Sequence, residues 1–332
     1  HLFDDKILSQ LLEITLEKDE CVLCVDRNHS KYLDIEDATK VVMEDGRIKD
    51  IGKHLNDHDG IDTGIFLCTP AIFDALEESI AHGNETLSGG IRILANRGRM
   101  KAFDISGKYW IDVDDDKALK NAKSLLIEQL RKQTDGPVSK TLNRPISIRI
   151  TELLLKTGIS PNQISLMSFI IGIFAALSFY MGDYIYLVAG GILAQISSII
   201  DGCDGEVARL KLQESKYGGW FDAVLDRYAD ALIIFGMIHG HWILHHDTLI
   251  WSIGFMALMG SFLNSYTSDK YDSTFKEKMT DRYAIRMGRD IRLFIIFIGA
   301  LTGQILWTLA ILALVTNFEA VRRLVVLRYR YA

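Results

Sequence analysis

Residues 201–230 read DGCDGEVARLKLQESKYGGWFDAVLDRYAD and lie between two long apolar stretches. Five aspartates, Asp201, Asp204, Asp222, Asp226 and Asp230, therefore stand where the neighbouring sequence has the character of a membrane segment. Carboxylates at bilayer depth are costly and mark a functional site by default. Asp201, Asp204, Gly205 and Ala208 recur at spacings of three and four and share one helix face. Gly218, Asp222, Asp226 and Asp230 recur every four residues and share one face of the next helix. If those helices pack antiparallel, the acidic faces converge, and clustered carboxylates repel unless cations neutralise them. An oxygen-only set suits Mg²⁺ or Mn²⁺ before softer metals. Gly205, Ala208 and Gly218 leave room beside the acids, and Arg209 offers a fork for phosphate. Together these residues describe a site for a pyrophosphate-containing nucleotide.

The charge is unevenly distributed. Residues 1–138 carry 27 acidic and 18 basic side chains, whereas residues 139–332 carry 16 and 19. Nearly all long apolar runs fall in the second part, so an acidic soluble domain followed by a membrane domain is expected. Apolar spans lie near 163–181, 184–204, 219–240, 248–267, 288–301 and 304–326. The fifth is short for the roughly 20 residues a bilayer needs. Residues 291–318 as one helix would give five spans. With a cytoplasmic first domain, six spans leave Lys and Arg out of the outer turns near 182–183, 239–247 and 302–304, whereas five would send the basic tail outside. Six transmembrane helices are therefore expected, with the acids near the cytoplasmic face.

Before the first span, residues 134–162 carry Lys140, Arg144, Arg149 and Lys156 around an apolar stripe of Ile146, Ile150, Leu153 and Leu154. This pattern describes an amphipathic juxtamembrane helix and linker. Ser160 or Asn162 then caps the first span, with Pro161 in its first turn.

The signature spelled Asp201-x2-Asp204-Gly205-x2-Ala208-Arg209-x8-Gly218-x3-Asp222-x3-Asp226 resembles the complete motif of the CDP-alcohol phosphotransferase (CDP-alcohol phosphatidyltransferase) family. Six transmembrane helices behind an amphipathic helix resemble that family too, over about 139–332. The resemblance implies transfer of a phosphoalcohol group from a CDP-alcohol to an acceptor hydroxyl, with release of CMP. It implies that Asp201, Asp204 and Asp222 ligate metal, in a site for two Mg²⁺ or Mn²⁺ ions. Asp226 would be the general base on the acceptor and a ligand of the second ion. Gly205, Ala208, Arg209 and Gly218 would receive the CDP portion. A homodimer in the cell membrane is also implied, with the lipid bilayer and the two substrates as partners and no nucleic acid.

Asp230 lies one turn beyond the signature, where it would hold Arg227 or a polar group of another span. Lys140, Arg144, Arg149, Arg282, Arg289 and Arg292 either anchor lipid headgroups or form a pocket for a phosphorylated acceptor. Arg289 and Arg292 open the fifth span beside the site, and Lys140 and Arg144 come next. His239, His241, His245 and His246 cluster on the outer side and read as an interfacial loop rather than a metal site. A cation transporter is the alternative use of intramembrane acids, but no acidic series continues through the later spans.

In residues 1–133, strand-like pieces (CVLCV, KVVM, GIFLC, KAFDI) alternate with helical ones (5–18, 70–82, 116–133), which argues for an α/β layered domain. Asp45-Gly46 reads as a hairpin turn. The segments IGKHL (51–55), DTGIFLC (62–68) and YWIDVDDDKALKNAK (109–123) resemble the second half of a nucleotidyltransferase-like, Rossmann-like domain. That likeness nominates Lys53 and Asp112 or Asp114 for nucleotide-sugar and metal contacts. The phosphate-cradling Gly-rich loop that should precede them is not in the sequence, so no synthesis of CDP-alcohols is expected of this domain, which would serve stability or dimerisation. The chain begins at His, as a piece of a longer or processed chain would, and shows no signal peptide. A full-length relative joining both domains would resemble enzymes that make CDP-inositol and then di-inositol phosphate compounds. Cys21 and Cys24 have the spacing of a zinc half-site, but without a second pair nearby they read as buried reduced thiols.

Overall fold

The computed structural model describes residues 1–28, 38–130, 135–275 and 287–331, and the chain separates into two units, His1–Leu126 and Ile127–Ala332. In the first unit the elements run β1 (Leu2–Phe3), α1 (Asp5–Leu12), β2 (Cys21–Asp26), β3 (Lys40–Glu44), β4 (Arg47–Gly52) and β5 (Gly60–Cys68). They continue through α2 (Ala71–Ala81), α3 (Leu87–Asn96), β6 (Met100–Asp104), β7 (Trp110–Ile111) and α4 (Asp116–Gln129), whose end passes into the second unit. Strand β2 explains its own apolar run. Its side chains alternate between two cores: Cys21, Leu23 and Val25 face Ile72, Ile91 and Leu94, while Val22 and Cys24 face Ile7, Leu11 and Trp110. Cys21 and Cys24 therefore point to opposite faces of one strand and do not form a zinc half-site. All four cysteines are free, and burial pushes the Cys24 thiol up to about 12.

The α/β composition matches expectation, but the sheet is not the open parallel layer of a Rossmann-like fold. Among the described residues, β2-β5-β3-β4-β6 close into a barrel in which only β2 and β6 pair in parallel. One of the antiparallel pairs is the tight hairpin between β3 and β4. Asp45 and Gly46 take φ of 50° and 74°, the double left-handed pair that folds strands back tightly. Helix α1 stops six residues short of the predicted end, because Ile14 and Leu16 pack onto the core as extended chain. Helix α3 was not expected, since Gly89-Gly90 lowers its helix propensity. Those glycines serve packing: a Cβ at either would run into side chains on or just after α2, Ser79 and Asn84 or Leu76.

In the second unit a π-helical turn, Ser139–Asn143, leads into α5 (Arg144–Leu154). Among the described residues six helices follow: α6 (Pro161–Met181), α7 (Tyr184–Leu210), α8 (Lys216–His245), α9 (Leu249–Phe275), α10 (Arg289–Leu301) and α11 (Ile305–Tyr331). Ser160 is the cap of α6. Its hydroxyl accepts from the Gln163 N–H at 3.4 Å, and the Gln163 side chain accepts from the Ser160 N–H at 2.9 Å, a capping box with Pro161 just inside. A break at Thr302–Gln304, with Gly303 at φ 70°, separates α10 from α11 and rules out one helix over 291–318. Pro161–Met181, Tyr184–Leu210 and Leu249–Tyr271 are long and apolar enough to cross a membrane. Helices α6 and α8 approach closely because a Cβ at Gly236 or Gly240 would collide with the carbonyls of Ala176 or Phe179.

Helix α5 divides its apolar stripe. Ile146 and Leu153 are exposed, Ile150 and Leu154 pack beside Cys203 and Val207 of α7, and Arg144, Ser147 and Thr151 are buried. Glu206 of α7 draws this polar face inward by accepting hydrogen bonds from all three.

Candidate active site

The four-residue repeats of α7 and α8 set the site. Helix α7 carries Asp201 and Asp204 in its last turns, α8 carries Asp222, Asp226 and Asp230 in its first half, and a short loop joins them. The hydroxyl of Ser215 accepts from the Gly218 N–H at 2.9 Å and starts α8 one turn before the first of its acids. Packing brings carboxylate oxygens of Asp201, Asp222 and Asp226 all within 4.8 Å of one another. Asp204 lies outside that trio and accepts from the Ser165 hydroxyl and the Gly205 N–H. Three convergent carboxylates require positive charge, and α10 supplies part of it. Arg289 Nη1 lies 2.8 Å from both Asp201 and Asp226, and its Nε lies 3.2 Å from Asp230.

One guanidinium does not satisfy the cluster. Asp222 Oδ1 is buried and has no hydrogen-bond partner among the described residues. An orphaned carboxylate oxygen within an all-oxygen set fits a hard divalent cation. Asp201, Asp222 and Asp226 are the residues that would hold it, with Asp204 on the adjoining turn.

Asp230 is differently placed. Its carboxylate is 5% exposed and paired with Arg292 at 2.7 Å as well as Arg289. Arg227 instead reaches Asp269 at 2.9 Å and approaches Asp226 at 3.8 Å. Arg292 is 3% exposed and also donates to Ser265, so its visible partners lie inside the protein. Arg209 has its Nε buried without a partner among the described residues, and a Cβ at Gly205 would stand 3.2 Å from its Nη1. Ala208 lies on the same α7 face, and Gly218 sits in the first turn of α8.

Of the remaining basic residues, Lys140 and Arg149 are exposed on the π turn and on α5, and Arg282 lies outside the described residues. Arg144 is 8% exposed; it donates to Asp135 at 2.8 and 3.0 Å and to Glu206 at 2.6 Å. Burial disfavours its charge, but the hydrogen bonds and charges of Asp135 and Glu206 outweigh burial and hold its pKa above the usual value. A cavity of about 260 Å³ is lined by Asp135, Asn143, Arg144, Asp201, Arg289 and Asp290, among others. His239 stacks on Tyr180 and His241 lies against His245, at the end of α8 remote from the acids. In the first unit, Lys53 and Asp114 are exposed and Asp112 pairs with His1 at 3.0 Å.

Three polar residues went unmarked in the sequence: Glu206, Asp135 and Ser165. Glu206 is an unspecified position of the signature and falls about 140° around the helix from Asp201. Its legible signal was a lone acid facing away from the acidic stripe of α7, with the hydroxyls Ser147 and Thr151 spaced four apart on the preceding helix.

A family model described as CDP-alcohol phosphatidyltransferase matches residues 158–319. A protein of Aquifex aeolicus named bifunctional IPC transferase and DIPP synthase is 37% identical over 308 residues, covering 90% of this chain and 68% of the relative. An archaetidylinositol phosphate synthase of Pyrococcus horikoshii is 31% identical over 179 residues, covering 52% of this chain and 87% of the relative. Among solved structures, a phosphatidylinositol phosphate synthase of Mycobacterium tuberculosis with CDP-DAG bound aligns with a TM-score of 0.46 at 24% identity, covering 54% of this chain and 92% of that one. With its signature aspartates gathered between α7 and α8 and a similarity to the Aquifex protein across nine-tenths of its length, the chain belongs to the CDP-alcohol phosphatidyltransferase family of membrane phosphotransferases.

Proposed function

We propose that the enzyme transfers a phosphoalcohol group from a CDP-alcohol to an acceptor hydroxyl and releases CMP. The observation that carries the reading is the meeting of Asp201, Asp222 and Asp226 oxygens within 4.8 Å, inside an intact family signature. Two divalent ions, Mg²⁺ or Mn²⁺, held by Asp201, Asp204, Asp222 and Asp226 would neutralise the donor pyrophosphate and the charge developing on CMP. Asp226 takes the proton of the acceptor hydroxyl as its oxygen bonds to the β-phosphorus, and the bond from that phosphorus to the bridging oxygen breaks. Arg209 directs its guanidinium at the donor phosphates, and Gly205, Ala208 and Gly218 leave space for the cytidine portion.

Arg144 and Arg289, which line the cavity beside Asp201, receive the phosphate of a phosphorylated acceptor, with Lys140 next in sequence to the lining residue Ser139 and Arg292 one turn on from Arg289. The names of the Aquifex and Pyrococcus relatives support an inositol-type substrate, in polyol-phosphodiester or phospholipid biosynthesis. In this reading all six helices α6 to α11 span the bilayer, the active site and first unit face the cytoplasm, and the chain works as a homodimer. Residues 1–133 form the nucleotidyltransferase-like domain, 134–162 the juxtamembrane segment and 163–332 the transferase domain. A cation transporter finds no support in the family match.

The test is incubation of the purified protein with a panel of labelled CDP-alcohols, Mg²⁺ and candidate acceptors, with CMP as the readout. Metal-dependent CMP release that disappears in Asp226→Asn supports transfer. Ion flux into vesicles without CMP release would refute it.

A further inference from the structure

Helix α7 presents a second polar face that the reaction as described leaves unused. Glu206 is fully buried, and its carboxylate accepts from Arg144 Nη1 at 2.6 Å, Ser147 Oγ at 2.6 Å and Thr151 Oγ1 at 2.7 Å. The same seam includes a thiol contact from Cys203 to the Ser147 carbonyl at 3.5 Å. Gly202 lies alongside, where a Cβ would stand 3.7 Å from the Ser147 hydroxyl. A buried acid whose partners come from one neighbouring helix holds that helix in a single rotation and register, because any other setting strands a charge. An apolar seam of equal volume would serve stability as well or better. What the charge adds is direction.

That direction matters because of what Arg144 faces. Arg144 lines the cavity that Asp201 and Arg289 also line. Three of its five N–H groups are used by Asp135 and Glu206, which leaves two beyond those bonds for an anion in the cavity. Without Glu206, Arg144 would keep only Asp135, which lies ahead of α5 rather than on α7.

We infer that Glu206 is a positioning residue: it clamps α5 onto α7 and thereby aims the Arg144 guanidinium into the cavity beside Asp201, where it receives the phosphate of the acceptor. The inference rests on the reading of the cavity given above as the acceptor side. Glu206 does not touch the reacting atoms. It acts through Arg144, with Ser147 and Thr151 completing its hydrogen bonding.

The test compares full-length wild type with Glu206→Gln, using CDP-inositol as donor and either inositol 1-phosphate or unphosphorylated inositol as acceptor. Glu206→Gln is expected to raise KM for the phosphorylated acceptor about tenfold, the usual cost of losing a group that orients a binding residue, with kcat nearly unchanged. KM for the unphosphorylated acceptor should not move. Amide hydrogen exchange in residues 139–154 should accelerate while α6 and α8 stay protected. An unchanged KM, or an equal rise for both acceptors, overturns the inference. If wild type itself releases no CMP, the proposed function fails instead, and exchange in 139–154 then decides whether Glu206 clamps the helix. Should Glu206→Gln fail to accumulate, Thr151→Val carries the same two measurements, with an expected effect of about threefold for one lost hydrogen bond.

Discussion

Two carboxylate clusters, one buried and one half-buried, sit on different faces of α7, and they differ in how completely they are satisfied. Toward α5, Glu206 and Asp135 share Arg144, and every contact is a short hydrogen bond within one side-chain network. Toward α8, Asp201 and Asp226 share Arg289, and one oxygen of the neighbouring Asp222 has no partner among the described residues. A closed network positions structure, whereas an open one is poised to take a ligand. Asp226 and Asp230 repeat the contrast within α8. They lie one turn apart on one stripe, but Asp230 holds two arginines at 2.7 and 3.2 Å, whereas Asp226 shares Arg289 with Asp201 and has Arg227 only at 3.8 Å.

The contrast can be broken at its largest point by Asp226→Asn. It should lower CMP release by about 10²- to 10⁴-fold, the range for a lost general base, while leaving the thermal midpoint within a few degrees. Asp230→Asn should do the reverse. It leaves buried Arg292 without its acid, and unfolding in detergent should show a loss of roughly 3 kcal/mol. If Asp230→Asn instead kept full stability and lost activity, the division between the two aspartates would fall. Asp222→Asn sharpens the open side. Mg²⁺ at about 100 times its Kd should stabilise wild type by about 2.7 kcal/mol through binding to the folded state, and the variant should lose most of that gain.

The first unit offers a smaller test on charge alone. Burial raises the Asp62 carboxyl to about 6, from an ordinary value of 3.8, despite the hydrogen bond it accepts from the Gly64 N–H. A raised carboxylate favours the folded state only while protonated, so its contribution is complete below about 4 and is lost as pH rises through 6. Asp62→Asn should therefore flatten the fall in stability between those values and gain about 2 kcal/mol at pH 7, measured by thermal melts across pH. Glu20 has the opposite sign. Lys101, at 2.5 Å, holds its carboxyl below the ordinary value, so its contribution is present above about 4.5 and fades as pH falls.

Much of this is legible in the sequence. The four-residue repeat of aspartates, the cap at Ser160, one of two candidates, and the Asp45-Gly46 turn are local patterns, and each formed at residues the sequence offered. Helix α3 was hidden because its glycines are justified only by the helix they pack against. The polar contacts of α5 were hidden for a related reason: hydrophobic periodicity counts apolar residues, and here a buried acid on another helix recruits Arg144, Ser147 and Thr151.

By itself the sequence determined which residues share a face and which element ends where, because dihedral preference and side-chain period act over a few neighbouring positions. The tertiary structure decided which charges meet. Arg289 reaches Asp230 across 59 residues and Arg144 reaches Glu206 across 62, pairings that no local period encodes. Packing of α5, α7, α8 and α10 made one carboxylate cluster a clamp and left the other open.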